Sequence, residues 1–189
     1  MESPAKIRTS KVSDAEAILE IYKPSVLETA ASFEVELPSV DEIKRRIEDT
    51  LKTFPWLVYE IDGEIVGYAY ASAHRSRSAY RWSVESTVYV KNSFHKKGIG
   101  RSLYSTLLPL LKTQGVVNVF SGITLPNVSS VTLHESLGYS QIGTFKDVGF
   151  KFGKWWDVGW WQLQLQRLAC PHELKPFDES NLSSSADQK

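Results

Sequence analysis

The chain is predicted to fold as one mixed α/β domain, with a largely antiparallel twisted sheet, a central parallel strand pair and flanking helices. Asp62-Gly63 separates two apolar runs, which is a strong signal for an antiparallel hairpin. Further along, the order strand–helix–strand–helix demands a parallel crossover. With 189 residues, of which 42% are apolar, the chain can form one compact core. We expect a single domain over residues 1–168 and a tail over residues 169–189.

Periodicity and end signals predict the elements in order. Asp14 is placed to cap the first helix, and Ser39 begins a capping box for the second. Pro109 lies inside the third helix and is expected to kink it or end it early. The predicted strands are Lys6–Thr9, Trp56–Ile61, Glu64–Ala71, Ser83–Val90, Val116–Ile123, Tyr139–Val148 and Trp155–Leu165. The later helices are predicted over Gly100–Gln114 and Ser129–Leu137, and the last dozen residues are expected to be disordered.

Composition argues against several classes of protein. The 22 basic and 22 acidic residues balance, which argues against general nucleic-acid binding. The apolar runs are too short to cross a bilayer, and the first residues offer no apolar stretch for a secretory signal. The single cysteine, Cys170, excludes an internal disulfide and fits a reducing compartment, so a cytoplasmic location is expected. The four histidines are too dispersed for a zinc spacing, and no metal is expected.

Charge is distributed unevenly along the chain. Between Ile65 and His134 the only carboxylate is Glu85. The basic residues of the same window are Arg75, Arg77, Arg81, Lys91, Lys96, Lys97, Arg101 and Lys112. A lone carboxylate in a positive field favours a role as a base, since functional sites concentrate such perturbed groups. The alternative is a strand glutamate that forms a salt bridge to Arg75, Arg77 or Arg81.

The loop His95–Gly100 follows the strand Ser83–Val90 and begins a helix. Its glycines let a phosphate approach the backbone, and the first-turn amides of the helix can donate hydrogen bonds to it. Lys96, Lys97 and Arg101 add positive charge. The loop fits neither the Gly-x-Gly-x-x-Gly nor the Gly-x-x-x-x-Gly-Lys-Ser/Thr pattern, which disfavours dinucleotide and nucleotide-hydrolase sites. It predicts a site for another anionic cofactor, and an ordinary tight turn is the alternative.

The loop resembles the coenzyme A pyrophosphate loop of the GNAT superfamily of N-acetyltransferases, Gln/Arg-x-x-Gly-x-Gly/Ala, with His95 at the Gln/Arg position. Other segments resemble the phosphinothricin acetyltransferase branch of that superfamily. They are Trp82–Val90, Leu125–Asn127, Leu133–Tyr139 and Trp156–Gln162. The resemblance runs in order from Ile7 to Leu165. It implies the GNAT fold, acetyl-CoA as co-substrate, and acetyl transfer to the primary amine of a small amino-acid-like acceptor.

The resemblance also implies roles for individual residues. Glu85 is expected to be the general base, and His134 an acid or a second base. The residues expected to hold acetyl-CoA are Val88, Tyr89, Val90, His95, Lys96, Lys97, Gly98, Ile99, Gly100, Arg101, Asn127 and Ser130. Those expected to bind the acceptor are Phe33, Arg75, Arg77 and Tyr80. A homodimer is expected, with Trp155-Trp156 and Trp160-Trp161 in the core and at the dimer surface.

Alternatives stay open at this point. His134 could only pack against Tyr139, Asn127 could cap a helix, and the loop at Arg75 and Arg77 could be solvated. Two close arginines suit an acid group on an acceptor such as phosphinothricin, methionine sulfoximine, methionine sulfone or an amino acid. The rival functions are acetylation of protein N-termini or polyamines, and binding of acyl-CoA without turnover. A polyamine site would need acids, and the window offers Glu85 alone.

Overall fold

The computed structural model describes residues 5–184, which form a single seven-stranded sheet with helices on both faces. The sheet order is β1-β2-β3-β4-β5-β7-β6. The strands are β1 (Lys6–Thr9), β2 (Trp56–Ile61), β3 (Glu64–Ala73), β4 (Ser83–Val90), β5 (Asn118–Leu125), β6 (Ser140–Lys151) and β7 (Lys154–Gln164). The helices are α1 (Ala15–Leu27), α2 (Val40–Leu51), α3 (Ile99–Gln114), α4 (Val128–Ser136) and α5 (Asn181–Ser184).

Every neighbouring pair of strands in the sheet is antiparallel except β4 and β5, which run parallel. The crossover between them is α3, as the strand–helix–strand order requires. The predicted fold class, a mixed and largely antiparallel sheet with one central parallel pair, is therefore confirmed.

Two apolar clusters hold the helices against opposite faces of the sheet. Side chains of β2 alternate between them, because successive residues of a strand point to opposite faces. Leu57 packs with Leu103 and Leu107 of α3, whereas Val58 packs with Ile18 of α1 in the other cluster. The sheet is thus covered by helices on both sides. Among residues 5–184, no helix is long and apolar enough to cross a membrane.

Two helix-end predictions need correction. Asp14 precedes α1 but makes no side-chain cap, because its carboxylate pairs with Arg8 (Nη1–Oδ2 2.7 Å) and accepts from the Lys11 amide. Pro109 lies inside α3 without ending it early, since the helix stops five residues later, at Gln114, while the kink stays a prediction. Gly115 follows with a φ of 101°, a backbone conformation that glycine adopts readily. The Ser39 cap is confirmed, since its side chain accepts from the Glu42 amide.

The start of β5 and the end of β6 also differ from prediction. Val116 was assigned to β5, but its amide donates to the Leu111 carbonyl and completes the end of α3. The strand therefore begins two residues later, at Asn118. The last hairpin extends to Lys151, because Phe152 and Gly153 form a two-residue turn with φ values of 53° and 75°.

The segment after β7 lies against the domain. The Trp82 indole donates to the His172 carbonyl (2.6 Å), and Arg81 pairs with Glu173 (2.5 Å). Leu174 and Phe177 pack against the apolar cluster of α3. The helix α5 falls within the dozen residues predicted to be disordered, and residues 185–189 lie outside the described residues. The division into a domain and a tail stays a prediction.

Candidate active site

The parallel strands β4 and β5 pair over only three positions and then separate. The last paired residues are Glu85 on β4 and Phe120 on β5. Beyond them the strands leave a cavity of about 240 Å³, lined mainly by the two strands and by α4. Because it opens at the carboxyl ends of the parallel strands, it lies where sheets of this kind bind ligands.

Glu85 stands at the edge of this gap, half-buried, with 32% of its side chain exposed. It points away from Ser86, its neighbour on β4, whose hydroxyl bonds to Ser121 and Tyr139 on the α3 side of the sheet. The salt bridge to Arg75, Arg77 or Arg81, which the sequence left open, does not form. The Glu85 carboxylate contacts His74 instead, with His74 Nδ1 2.9 Å from Glu85 Oε1.

Sequence reasoning missed His74 as the neighbour of Glu85. The signal lies in the register of β3 against β4, where Ser72 pairs with Glu85. Two residues further along, His74 shares the face of Ser72 and stands diagonally across from the carboxylate. The contact between His74 and Glu85 can be predicted once the register of β3 and β4 is known, but not from the sequence around either residue alone.

His134 is buried, with 4% of its surface exposed, and lines the cavity from α4. Its Nδ1 lies 2.8 Å from the Ser130 carbonyl, and its Nε2 lies 3.1 Å from the Tyr104 hydroxyl. A carbonyl only accepts, so Nδ1 carries the proton and Nε2 accepts from Tyr104. Burial lowers the pKa of His134, while the bond to Ser130 opposes that shift. The imidazole is therefore neutral at neutral pH, with both nitrogens engaged.

Tyr104 is a second residue that sequence reasoning missed. It follows Gly100 by four residues on α3, so both occupy the helix face turned toward the gap. Its hydroxyl reaches the cavity and donates to His134, and burial raises its pKa far above the usual range. His134 also packs edge-on against Tyr139, at 5.1 Å between ring centroids, so the packing alternative for this histidine is met as well.

The loop before α3 has the backbone shape of an anion site. Lys96 and Gly98 have φ values of 60° and 80°, and Gly98 precedes the helix directly. The free amides of the first helical turn therefore face outward together. Lys96, Lys97 and Arg101 are exposed, and the ion pairs formed within residues 5–184 involve none of them. A Cβ at Gly100 would lie 3.1 Å from the Leu133 side chain, a close contact that would require Leu133 to shift by a few tenths of an ångström.

His95 does not project from this loop as a free donor. Its Nε2 lies 2.9 Å from the carbonyl of Val90 and ties the loop back to the end of β4. That carbonyl is one of the backbone groups that the sequence assigned to the pantetheine arm. Val88, Tyr89, Val90 and His95 line the cavity. Ile99 and Gly100 begin α3, and the Ile99 side chain is buried in the core.

Asn127 and Ser130 stand at the start of α4, on the other side of the cavity. The Asn127 side-chain oxygen accepts from the Ser130 amide at 3.1 Å, so the capping alternative is met. The same asparagine lines the cavity, which leaves its side-chain NH₂ group as a donor there. Capping and cofactor contact are therefore compatible roles for one side chain.

Among the residues predicted to bind the acceptor, Tyr80 contacts the partner of Glu85, with its ring edge-on to His74 at 6.1 Å between centroids. Arg75, Arg77 and Tyr80 are exposed on the segment between β3 and β4. Phe33 lies on the loop between α1 and α2, and its ring occupies the space of the missing side chain at Gly149 of β6. Arg81, which the sequence grouped with the other two arginines, is neutralised by Glu173. Within residues 5–184, no group of His, Cys, Asp or Glu side chains is placed to hold a metal ion.

Comparison with known proteins gives the family. Residues 7–160 match the family model described as Acetyltransferase (GNAT) domain. The chain is 38% identical over 176 residues to the phosphinothricin N-acetyltransferase of Streptomyces viridochromogenes, covering 93% of this chain and 96% of the relative. It is 37% identical over 166 residues to the L-methionine sulfoximine/L-methionine sulfone acetyltransferase of Salmonella typhimurium, covering 87% and 97%.

A solved structure supports the same family. The crystal structure of a GNAT superfamily phosphinothricin acetyltransferase from Sinorhizobium meliloti in complex with AcCoA superposes with a TM-score of 0.87 at 34% identity, covering 94% of this chain and 98% of that one. The chain therefore belongs to the GNAT acetyltransferase family. It is an acetyl-CoA-dependent N-acetyltransferase, as the resemblance implied.

The neutral, buried state of His134 predicts a pH dependence of stability. Because its pKa in the folded state lies below the ordinary 6.5, the unfolded chain binds the proton more readily. The contribution of the neutral imidazole is complete above about pH 6.5 and is lost as the pH falls toward the lowered folded pKa. His134→Gln keeps an acceptor for Tyr104 and cannot titrate. We expect its melting temperature to fall less than that of the wild type between about pH 7.5 and 5.5.

The control is His172→Gln, which removes an exposed histidine and should follow the wild type. Equal falls for the wild type and His134→Gln would contradict the neutral, buried state.

Proposed function

We propose that this enzyme acetylates the primary amine of a small amino-acid-like acceptor, such as phosphinothricin, methionine sulfoximine, methionine sulfone or a related amino acid. The observation that carries the proposal is the position of Glu85, at the mouth of the β4–β5 gap and next to the segment of Arg75 and Arg77. The names of the relatives support the same class of acceptor.

The proposed co-substrate site follows the gap. Backbone groups of Val88 and Tyr89 would hold the pantetheine arm, and Asn127 and Ser130 face it from α4. The pyrophosphate would lie on the helix start from His95 to Arg101, where the space beside Gly98 is open and leaves the backbone accessible. The gap and the cationic loop thus fit a long anionic molecule. Acetyl-CoA supplies the acetyl group there as an activated thioester.

Glu85 is proposed as the general base. An amine acceptor is protonated at neutral pH, and its nitrogen can attack only after a proton leaves. Glu85 is placed to take that proton, directly or through a water. Direct attack is preferred over an acyl-enzyme, because the only cysteine, Cys170, lies exposed after β7. His134 is proposed to act with Tyr104 at the thiol side of the gap, where their hydrogen bond provides one exchangeable proton.

Arg75 and Arg77 are proposed to bind the acid group of the acceptor. An exposed guanidinium can hold a carboxylate or phosphinate through two parallel hydrogen bonds, which orients the amine as well as attracting the acid. Tyr80 and Phe33 would form the walls of this pocket. A polyamine would need acidic walls instead, and no acid other than Glu85 occurs between Ile65 and His134. Acetylation of protein N-termini stays the alternative.

Replacing Glu85 tests the base. Glu85→Gln keeps the size and polarity of the side chain and removes its basicity. We expect kcat to fall by about a hundredfold or more. Melting temperature and the affinity for acetyl-CoA should stay those of the wild type. Thiol release with methionine sulfone measures the loss, and wild-type turnover in this variant would make Glu85 structural.

Replacing the arginines tests the acceptor class. Arg75→Ala and Arg77→Ala should each raise KM for methionine sulfone or phosphinothricin and leave acetyl-CoA binding unchanged. Arg167→Ala is the matched control, an exposed arginine just past the end of β7, which lies beside the start of β5 and so at the other end of the strands from the gap. The wild type should prefer free amino acids to their amides. Faster acetylation of spermidine or of amino-acid amides would rule out an acidic acceptor.

A homodimer is also proposed. The last hairpin carries six large apolar residues, each with about half or more of its surface exposed. They are Ile142, Phe145, Val148, Phe150, Phe152 and Trp155. Since β6 is the edge strand of the sheet, this patch suits pairing with a second copy of the chain.

Light scattering at micromolar concentration tests the dimer. The wild type should have twice the mass of the chain, and the double variant Phe150→Glu, Trp155→Glu should be a monomer, because two charges cannot be buried there unpaired. Leu168→Glu places the same charge at an exposed apolar residue outside the hairpin and should stay a dimer. A monomeric wild type would remove this proposal.

A cytoplasmic location likewise stays a prediction. The exposed thiol of Cys170, the single cysteine, fits a reducing compartment.

A further inference from the structure

Within residues 5–184, the side chain of Glu85 forms its hydrogen bond with the imidazole of His74 and not with an arginine. His74 Nδ1 lies 2.9 Å from Glu85 Oε1. An ionised carboxylate can only accept hydrogen bonds, so this contact requires the imidazole proton to be on Nδ1. The tautomer of His74 is thus set by Glu85, and in return one carboxylate oxygen is held in place.

The imidazole ring is itself restrained. It stacks on Phe120, the residue that pairs with Glu85 across the parallel ladder, with ring centroids 4.6 Å apart and an angle of 23°. Tyr80 and Trp160 meet it edge-on, each at 6.1 Å. Only 15% of the side chain is exposed. A ring held on these sides cannot turn without disturbing its neighbours, so the donor at Nδ1 has a fixed direction.

Glu85 by itself has little to fix it. Its side chain is partly exposed and rotates about three bonds, and Arg75 and Arg77 on the adjoining segment offer competing charges. A base must reach its proton at hydrogen-bonding distance, and a displacement of about 1 Å can lower the rate roughly a hundredfold. The hydrogen bond from His74 removes that freedom for one oxygen, while the other oxygen accepts no hydrogen bond from residues 5–184.

We propose that His74 is a positioning residue for catalysis: it holds Oε1 of Glu85 so that Oε2 faces the acceptor amine. This inference rests on the proposed function, because a positioned carboxylate matters only if Glu85 takes the proton. The proton moves from the ammonium nitrogen to Oε2, and His74 keeps its own proton on Nδ1 throughout. The opposing view is that His74 serves only as an aromatic packing residue.

Two substitutions separate these views. His74→Phe keeps a flat ring for Phe120 and removes the donor, whereas His74→Asn removes the ring and keeps an N–H donor close to the position of Nδ1. We expect His74→Phe to lower kcat for methionine sulfone roughly ten- to hundredfold, with little change in KM for acetyl-CoA. His74→Asn should recover much of this loss. Wild-type kcat in His74→Phe, or a larger loss in His74→Asn than in His74→Phe, would overturn the proposal.

A double-mutant cycle shows whether His74 acts through Glu85. In the Glu85→Gln background, His74→Phe should produce almost no further fall in kcat, because the group it positions is no longer a base. Independent, multiplying losses would place the effect of His74 elsewhere and contradict the proposal.

A measurement without turnover separates failure of this inference from failure of the proposed function. Nitrogen NMR of the histidine rings reports which nitrogen carries the proton. His74 should carry it on Nδ1 near neutral pH in the wild type and lose that preference in Glu85→Ala. A proton on Nε2 in the wild type overturns the positioning role whatever the activity. Absence of thiol release with every amine, with the Nδ1 proton present, overturns the proposed function and the catalytic part of this inference, and leaves the contact itself established.

Discussion

The separation of β4 from β5 is the constraint on which the rest of the site depends. Two parallel strands that paired along their full length would close the sheet, and apolar clusters cover both of its faces. Pairing between β4 and β5 stops instead at Glu85 and Phe120, while β4 stays paired with β3 and β5 with β7. Beyond that point, the backbone groups of β4 and β5 that face each other have no partner across the gap, and Glu85 is the last residue of β4 that pairs with β5. Glu85, the proposed base, is therefore held at its backbone and open at its side chain.

The gap also separates two kinds of chemistry on the two faces of the sheet. On the α3 side, His134 and Tyr104 are buried, neutral and joined by a hydrogen bond. On the other side, Glu85 is half-exposed, faces His74 and lies beside a cationic segment. The half-exposed carboxylate of Glu85 is the group proposed to take the proton from the acceptor amine. The buried pair of His134 and Tyr104 is proposed to act at the thiol end of the same transfer.

Much of this could be predicted from the sequence, and the main misses share one physical cause. Hairpin signals, periodicity and end signals are local, and they predict the class of the sheet, the Ser39 cap and the loop at Gly98. Contacts set by register or by distant segments are not local. His74 meets Glu85 only through the β3–β4 register, and Arg81 meets Glu173 from the far end of the chain. Asp14 is a different case, because its competing partners, Arg8 and the Lys11 amide, are close in the sequence but hold its carboxylate away from the helix end. Propensity describes what a residue can do, and tertiary partners decide which option is taken.

The last hairpin joins the proposed acceptor pocket to the proposed dimer surface. Lys151 is buried, with 5% of its surface exposed, and donates to the carbonyls of Val26, Thr29 and Ser32. Burial lowers its pKa, and three carbonyl contacts offset the desolvation of the charge. The chain after α1 is thereby fastened to β6, and Phe33 is set against Gly149, where a Cβ would lie 2.2 Å from the ring. Phe150, next on the strand, is among the exposed apolar residues of the hairpin. A partner bound at Phe150 would therefore bear on the strand that supports Phe33, so association of two chains and the shape of the acceptor pocket depend on the same backbone.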